Sequence, residues 1–324
     1  MRKLKVTVIF SLIITAACWI ASREVFAADA SHTKTSSMAE TPTEETDVFE
    51  PEATKLVLVD ATPLDPMKIE WSTSYSISGS DAQWQMNRGH TDRNLFKENS
   101  FQSTVNFGVI DGFDMGITEG FSSLIDKANN YDETGGATDP DTGESLDQTD
   151  GPHKGHGFQD MTVNGRWRFY QSCNKKFRLA YVPYLVIPVG RRSNFDHLGP
   201  SQGYVSMGNT LAATKDIKRW TMSGNLGYEV PLARKKRREN SSGALTVGGG
   251  IGYHLFDWFQ PQIEALYLQE FKSPGKGTML FSMVFGAIIP INDHLRFDLG
   301  MVQDIAGSGT DQAISGIFKI VLLT

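Results

Sequence analysis

The sequence predicts an all-β protein, a transmembrane up-and-down antiparallel β-barrel of about twelve strands. Three observations predict it. Twelve segments alternate apolar with small polar residues, most of them run for 10 to 13 residues, and the connections between them go long, short, long, short to the end. Alternation is the period of a sheet with two unlike faces. A globular strand is usually about 5 to 6 residues long, whereas a tilted membrane strand needs about 9 to 11. Short turns on one side and long loops on the other are the mark of an up-and-down barrel.

Taken in order, the first segment (68–79) sets Ile69, Trp71, Thr73, Tyr75 and Ile77 against Lys68, Glu70, Ser72, Ser74, Ser76 and Ser78. In the second (100–110), Phe101, Val105, Phe107 and Val109 oppose Gln102, Thr104, Asn106 and Gly108. The third (112–121) opposes Phe113, Met115, Ile117 and Phe121 to Asp114, Gly116, Thr118 and Gly120. The fourth (158–170) sets Met161, Val163, Trp167 and Phe169 against Asp160, Thr162, Asn164, Arg166 and Arg168. The remaining eight are 176–188, 203–214, 218–230, 243–255, 258–269, 278–290, 293–303 and 313–323, and the faces differ least in 203–214 and 313–323. Short turns centre on Asp111, Ser172–Asn174, Asp216, Asp257 and Asn292. The long connections are 80–99, 122–157, 189–202, 231–242, 270–277 and 304–312. An even strand number puts both termini on the short-turn, periplasmic side. A soluble β-sandwich also alternates, but with shorter strands and no such loop rhythm.

Aromatic residues on the apolar faces, Trp71, Trp167, Trp220, Tyr228, Tyr253, Phe259, Phe297 and Phe318, suit the interfacial girdles of such barrels. Composition fits only when divided between faces. With 324 residues, 40% hydrophobic, and a mean hydropathy of −0.27, the chain excludes a bundle of membrane helices.

Residues 1–27 read as a cleaved export signal. Arg2, Lys3 and Lys5 precede the apolar run Val6–Ala17, and Val25-Phe26-Ala27 offers a small-x-small cleavage site. Two other readings stand beside it: a lipobox-like Thr15-Ala16-Ala17-Cys18, with Cys18 lipidated, and an uncleaved anchor helix. Removing the signal's four basic residues and one acid from the 31 and 37 leaves 27 and 36, a net charge of −9. Cys173 is then the sole cysteine, so no intrachain disulfide forms. The acidic balance argues against nucleic acid as a partner.

Residues 28–66 are rich in Thr, Ser, Glu and Pro and carry nine acids against Lys34 and Lys55. Such a stretch cannot offset its ordering entropy, so a largely disordered periplasmic tail is expected. Its apolar patch Leu56-Val57-Leu58-Val59 reads as a docking strand or as the approach to the barrel, which occupies 67–324. The tail is long enough to fold back and occlude the lumen, and equally serves as a spacer or a contact for a periplasmic partner.

Several blocks carry a family resemblance: Asp111-Gly112-Phe113-Asp114-Met115-Gly116-Ile117, Gly157-Phe158-Gln159-Asp160-Met161-Thr162-Val163, Arg166-Trp167-Arg168-Phe169-Tyr170, Pro183-Tyr184-Leu185-Val186-Ile187-Pro188-Val189-Gly190 and Gly224-Asn225-Leu226-Gly227-Tyr228. In this order they resemble the outer-membrane transporter family named after the meta-pathway of phenol degradation, over about residues 68–324. The resemblance implies an outer-membrane channel or transporter for small, often hydrophobic or aromatic solutes. The chain departs from the usual barrel ending: Ile320-Val321-Leu322-Leu323-Thr324 lacks a terminal aromatic residue, the signal that assembly machinery recognises during insertion.

If the apolar faces meet lipid, strand charges turn inward, because Arg or Lys on the lipid face near mid-depth costs about 2 to 4 kcal/mol. That places Glu70, Asp114, Asp160, Arg166, Arg168, Arg178, Glu229, Glu264, Arg296 and Asp298 in the lumen. Arg166, Arg168 and Arg178 suggest a basic ladder for a carboxylate, set against plain pairing with Asp160, Glu229 and Glu264. Arg234, Lys235, Lys236, Arg237 and Arg238 form an outer-loop basic patch suited to lipopolysaccharide phosphates. The acidic loop 122–157, with His153 and His156, has no full ligand set for a metal, and no cofactor is implied. His254 and His294 have no Ser partner in adjacent segments, so a lipid-hydrolysing enzyme is not expected. A structural or surface-interaction barrel without transport is the alternative to a channel.

Overall fold

A computed structural model describes residues 55–84, 90–126, 153–191, 198–232, 241–272 and 277–324. The expected signal, most of the acidic tail, most of the acidic loop and the basic patch Arg234–Arg238 therefore lie outside the described residues. The chain divides into two units, Met1–Glu52 and Ala53–Thr324, and the second is the barrel.

Alternation produces strands throughout: β1 Ile69–Trp84, β2 His90–Ile110, β3 Phe113–Asp126, β4 His153–Phe158, β5 Met161–Gln171, β6 Phe177–Ile187, β7 Ser206–Ile217, β8 Trp220–Pro231, β9 Ser241–Tyr253, β10 Gln260–Lys272, β11 Met279–Asn292, β12 Leu295–Ser308 and β13 Thr310–Leu323. The described residues contain no helix. Every pairing is antiparallel, in the order β2-β1-β13-β12-β11-β10-β9-β8-β7-β6-β5-β3-β4, and a β2–β3 ladder closes the ring. Among the described residues, closure pairs every strand on both sides except the short β4, as a strand wall in lipid requires.

Thirteen strands make twelve staves. β4 pairs with Phe121–Asp126 of β3 and β5 with Phe113–Thr118 of the same strand, so the two are one stave broken at Gln159-Asp160. The Gln159 amide still donates to the Gly120 carbonyl at 2.7 Å across the break. The Asp160 carboxylate accepts from the Ser201 hydroxyl and, at 2.8 Å, from the Gln202 amide. The break thus ties the stave to the loop after β6.

The strands depart from the sequence expectation mainly at the long-loop end. β1 and β2 continue to Trp84 and from His90, and only Gly309, at φ 65°, separates β12 from β13. The expected long connections 80–99 and 304–312 are largely strand. Beyond the apolar band neither face needs to be apolar, as in Ser80-Asp81-Ala82-Gln83, so the alternation that identifies a strand fades while its ladder continues. Asp216, expected in a turn, belongs to β7 and pairs with Thr221, one residue before the strand ends at Ile217.

The two faces separate cleanly. Trp71, Tyr75, Ile77, Phe101, Val105, Met115, Ile117, Trp167, Leu226 and Phe285 are exposed on the outside. Inside, Ser72, Ser100, Ser122, Thr214, Thr221, Gln262 and Glu264 are buried. An apolar exterior around a polar interior inverts a soluble protein and fits a lipid surround. What apolar core exists also lies inside, against the residues that precede β1.

Candidate functional site: the lumen and the segment crossing it

Residues 55–66, expected to belong to the tail, run along the inner wall. Leu56 packs with Val284 and Ile288 of β11, while Ala61 packs with Ala180 of β6 and Ala212 of β7. The Leu64 amide donates to Asp114 of β3 at 2.8 Å, and Met67 and Lys68 exchange backbone hydrogen bonds with Gly108 of β2. β11 and β3 stand near opposite sides of a twelve-stave ring, so the segment crosses the lumen. Its seats lie within a few residues of the short-turn ends of the strands.

Glu264 makes the principal anchor. Its carboxylate accepts three consecutive amides, from Leu56 at 2.9 Å, Val57 at 3.0 Å and Leu58 at 3.1 Å, together with Gln262 Nε2 at 2.6 Å. Successive N–H groups converging on one anion form a backbone nest. Glu264 is fully buried, and four hydrogen bonds compensate for what isolation would cost it. A second clasp joins Asp60 to the Thr214 hydroxyl at 2.9 Å, with the Ala61 amide donating to the same hydroxyl at 3.3 Å. Lys55 is buried near Asp60, Asp216 and Glu264, which attract its ammonium without a direct hydrogen bond.

Glycines make the sockets. Leu58 fills the space a side chain would take at Gly248 and Gly250 of β9, and Leu56 does the same at Gly286 of β11. At Gly108 the backbone of Asp65 passes so close that no Cβ fits. Val57, pointing away from the wall, stays 43% exposed.

The expected lumen residues fall as follows. Arg166 faces inward and forks onto the buried Asp114 of β3, with its closest contact at 2.5 Å. Arg168 reaches Asp111 in the β2–β3 turn at 2.7 Å, and Arg178 pairs with Asp216. The three arginines are therefore each matched to an aspartate, and none of the aspartates is a partner the sequence suggested. Asp160 sits at the stave break, Glu229 accepts from Ser206 at 2.6 Å and Tyr184 at 3.1 Å, and Glu264 holds the segment. Glu70 accepts from Asn106 at 2.9 Å. Arg296 and Lys319 share Asp298, at 3.0 and 3.8 Å. His153 and His156 belong to β4, and the described residues bring no three metal-ligating side chains together.

Sequence reasoning placed Glu264 in the lumen but missed its role. It also missed Asp60, Thr214 and the glycine sockets. The usable signal was Leu56-Val57-Leu58-Val59, an apolar patch that an acidic linker has no need for.

The fold and its lumen define a class: a closed, twelve-stave transmembrane β-barrel with the segment before its first strand seated inside. Within that class, the chain belongs to the family described as "Putative MetA-pathway of phenol degradation", whose model matches residues 109–308. An outer membrane channel from Pseudomonas putida F1 has the same fold, with a TM-score of 0.67 at 11% identity over 83% of this chain and 100% of that one. Weaker likenesses are the β domain of the Bordetella autotransporter BrkA (0.45, 13% identity, 79% and 99% covered) and the monoaromatic hydrocarbon channel CymD (0.41, 8%, 81% and 89%). The fold likeness rests on the first of these. No curated protein sequence matches the chain.

Proposed function

We propose that this protein is an outer-membrane channel for small hydrophobic or aromatic solutes, narrowed at its periplasmic mouth by residues 55–66. The observation that carries the reading is the seat of this segment on Glu264 inside a closed ring. Family membership and the fold shared with an outer membrane channel support it. The pairing of Arg166, Arg168 and Arg178 with aspartates favours neutral solutes over carboxylates, since these three arginines offer no free cationic ladder. In this reading residues 1–27 are removed on export and the acidic tail remains in the periplasm.

Planar-bilayer recording of the mature chain and of a variant lacking residues 55–64 tests the proposal. The deletion variant should conduct several-fold more, because twelve staves enclose a lumen wider than an eight-stave barrel filled by side chains. Equal conductance in the two proteins rejects the narrowing. Absence of conductance in both, with an intact fold, favours a structural or surface-interaction barrel.

A further inference from the structure

The short-turn rim of β5–β8 carries a feature that solute passage does not use. Lys175 and Lys176 lie in the β5–β6 turn, Lys218 and Arg219 in the β7–β8 turn, and all four are exposed. The turns adjoin, since the Asp216 amide donates to the Lys176 carbonyl at 2.8 Å. The acid among them, Asp216, turns inward to Arg178 and Thr221. The nearest acid on the neighbouring β9–β10 turn is the exposed Asp257.

Two details separate this rim from an ordinary solvated turn. Lys175 and Lys218 both adopt left-handed backbone, at φ 54° and 55°. Glycine or asparagine takes that conformation at less cost, so a lysine there is strained. Lys215 also faces outward on β7, between Phe177 of β6 and Met222 of β8. A lysine on the lipid face is costly at mid-depth and nearly free at the interface, which fixes the headgroup level here. Aromatic rings share that level: Tyr170 packs on Phe177 with centroids 5.9 Å apart, and Trp220 on Tyr253 at 4.5 Å.

We infer that this rim is a docking site for anionic phospholipid headgroups of the leaflet facing the short turns. Lys215 meets the phosphate from the barrel side, and Lys175 and Lys218 close over it from the two turns. The flanking rings pack on the glycerol and upper acyl chain. Cations near a membrane surface attract anionic lipid, and three of them act together here.

The test uses the full-length protein in micelles doped with phosphatidylglycerol or phosphatidylcholine, read by native mass spectrometry and thermal unfolding. The variant is Lys175→Asn, Lys215→Gln, Lys218→Asn, in which asparagine suits the left-handed positions and protects the fold. Wild type should retain phosphatidylglycerol over phosphatidylcholine, and the variant should lose that preference by roughly ten-fold or more. Unfolding in phosphatidylcholine should not change, and replacing the same lysines with arginine should keep the preference. A variant that retains the wild-type preference overturns the inference. So does stabilisation of the wild type by inorganic phosphate alone to the same extent, which would mark a free-anion site.

Discussion

Glu264 holds Leu56, Val57 and Leu58 through their backbone amides, so its charge matters more than any side chain it touches. Glu264→Gln keeps the shape but replaces one acceptor oxygen with a donor facing donors. Hydrogen bonds to charged groups contribute about 1.5–3 kcal/mol each, so the segment should be held at least about 2 kcal/mol more weakly. The expected outcome is higher conductance and faster proteolysis within residues 55–66, with the barrel intact. Gly250→Val should act likewise from the opposite side, by filling the space of Leu58. His254, beside this cluster, gives a pH dependence. Burial pushes its imidazole below the ordinary value and the Lys55 charge adds to this, while Asp216 and Asp257 oppose it. The neutral ring is thus favoured in the folded protein. Its contribution is complete above the ordinary histidine value and declines as pH falls through the lowered one. Conductance should rise on acidification, and His254→Gln should flatten that response. At this scale the sequence was partly legible: alternation states which face Arg166 occupies, but not which carboxylate stands opposite. The pairing with Asp114 depends on the register of β3 against β5, set across a connection whose length carries no register information.

At the scale of elements, alternation located all twelve staves and most of the turns. It failed where regular alternation ends, because β1, β12 and β13 continue into polar residues such as Ser80, Asp81, Asp304 and Asp311. It also left β4 inside the expected long connection 122–157, since His153-Lys154-Gly155-His156-Gly157 carries no apolar face. The segment 55–66 was the least legible. Its seat is made of glycines, and a socket formed by missing side chains has no positive mark in a sequence. Composition also misled here, because an acidic, proline-bearing stretch cannot fold alone but can be held by a wall that supplies the partners. Deleting residues 55–64 should therefore leave heat-resistant barrel migration on gels unchanged while removing the narrowing.

At the scale of the molecule, β1 meets β13 over a ladder from Glu70↔Leu323 to Trp84↔Thr310, with one register shift between Ser80 and Ala82. The wall therefore joins the two ends of the folded chain, and the Thr324 amide reaches the Ile69 carbonyl at 3.0 Å. Pairing over so long a separation is slow, because the loop entropy must be met before the contacts form. The seam is accordingly expected to form last, and the stretch seated inside leads directly into it. Its anchors on β7 and β10 exist before the ring is complete, whereas afterwards the mouth is the only way in. The expected order is that the occupant is enclosed during construction rather than admitted later. In a Cys173→Ser background, a Leu58→Cys, Gly250→Cys pair should cross-link as soon as refolding chains close, with no lag. A delayed cross-link would mean that the barrel is built empty and filled through its door.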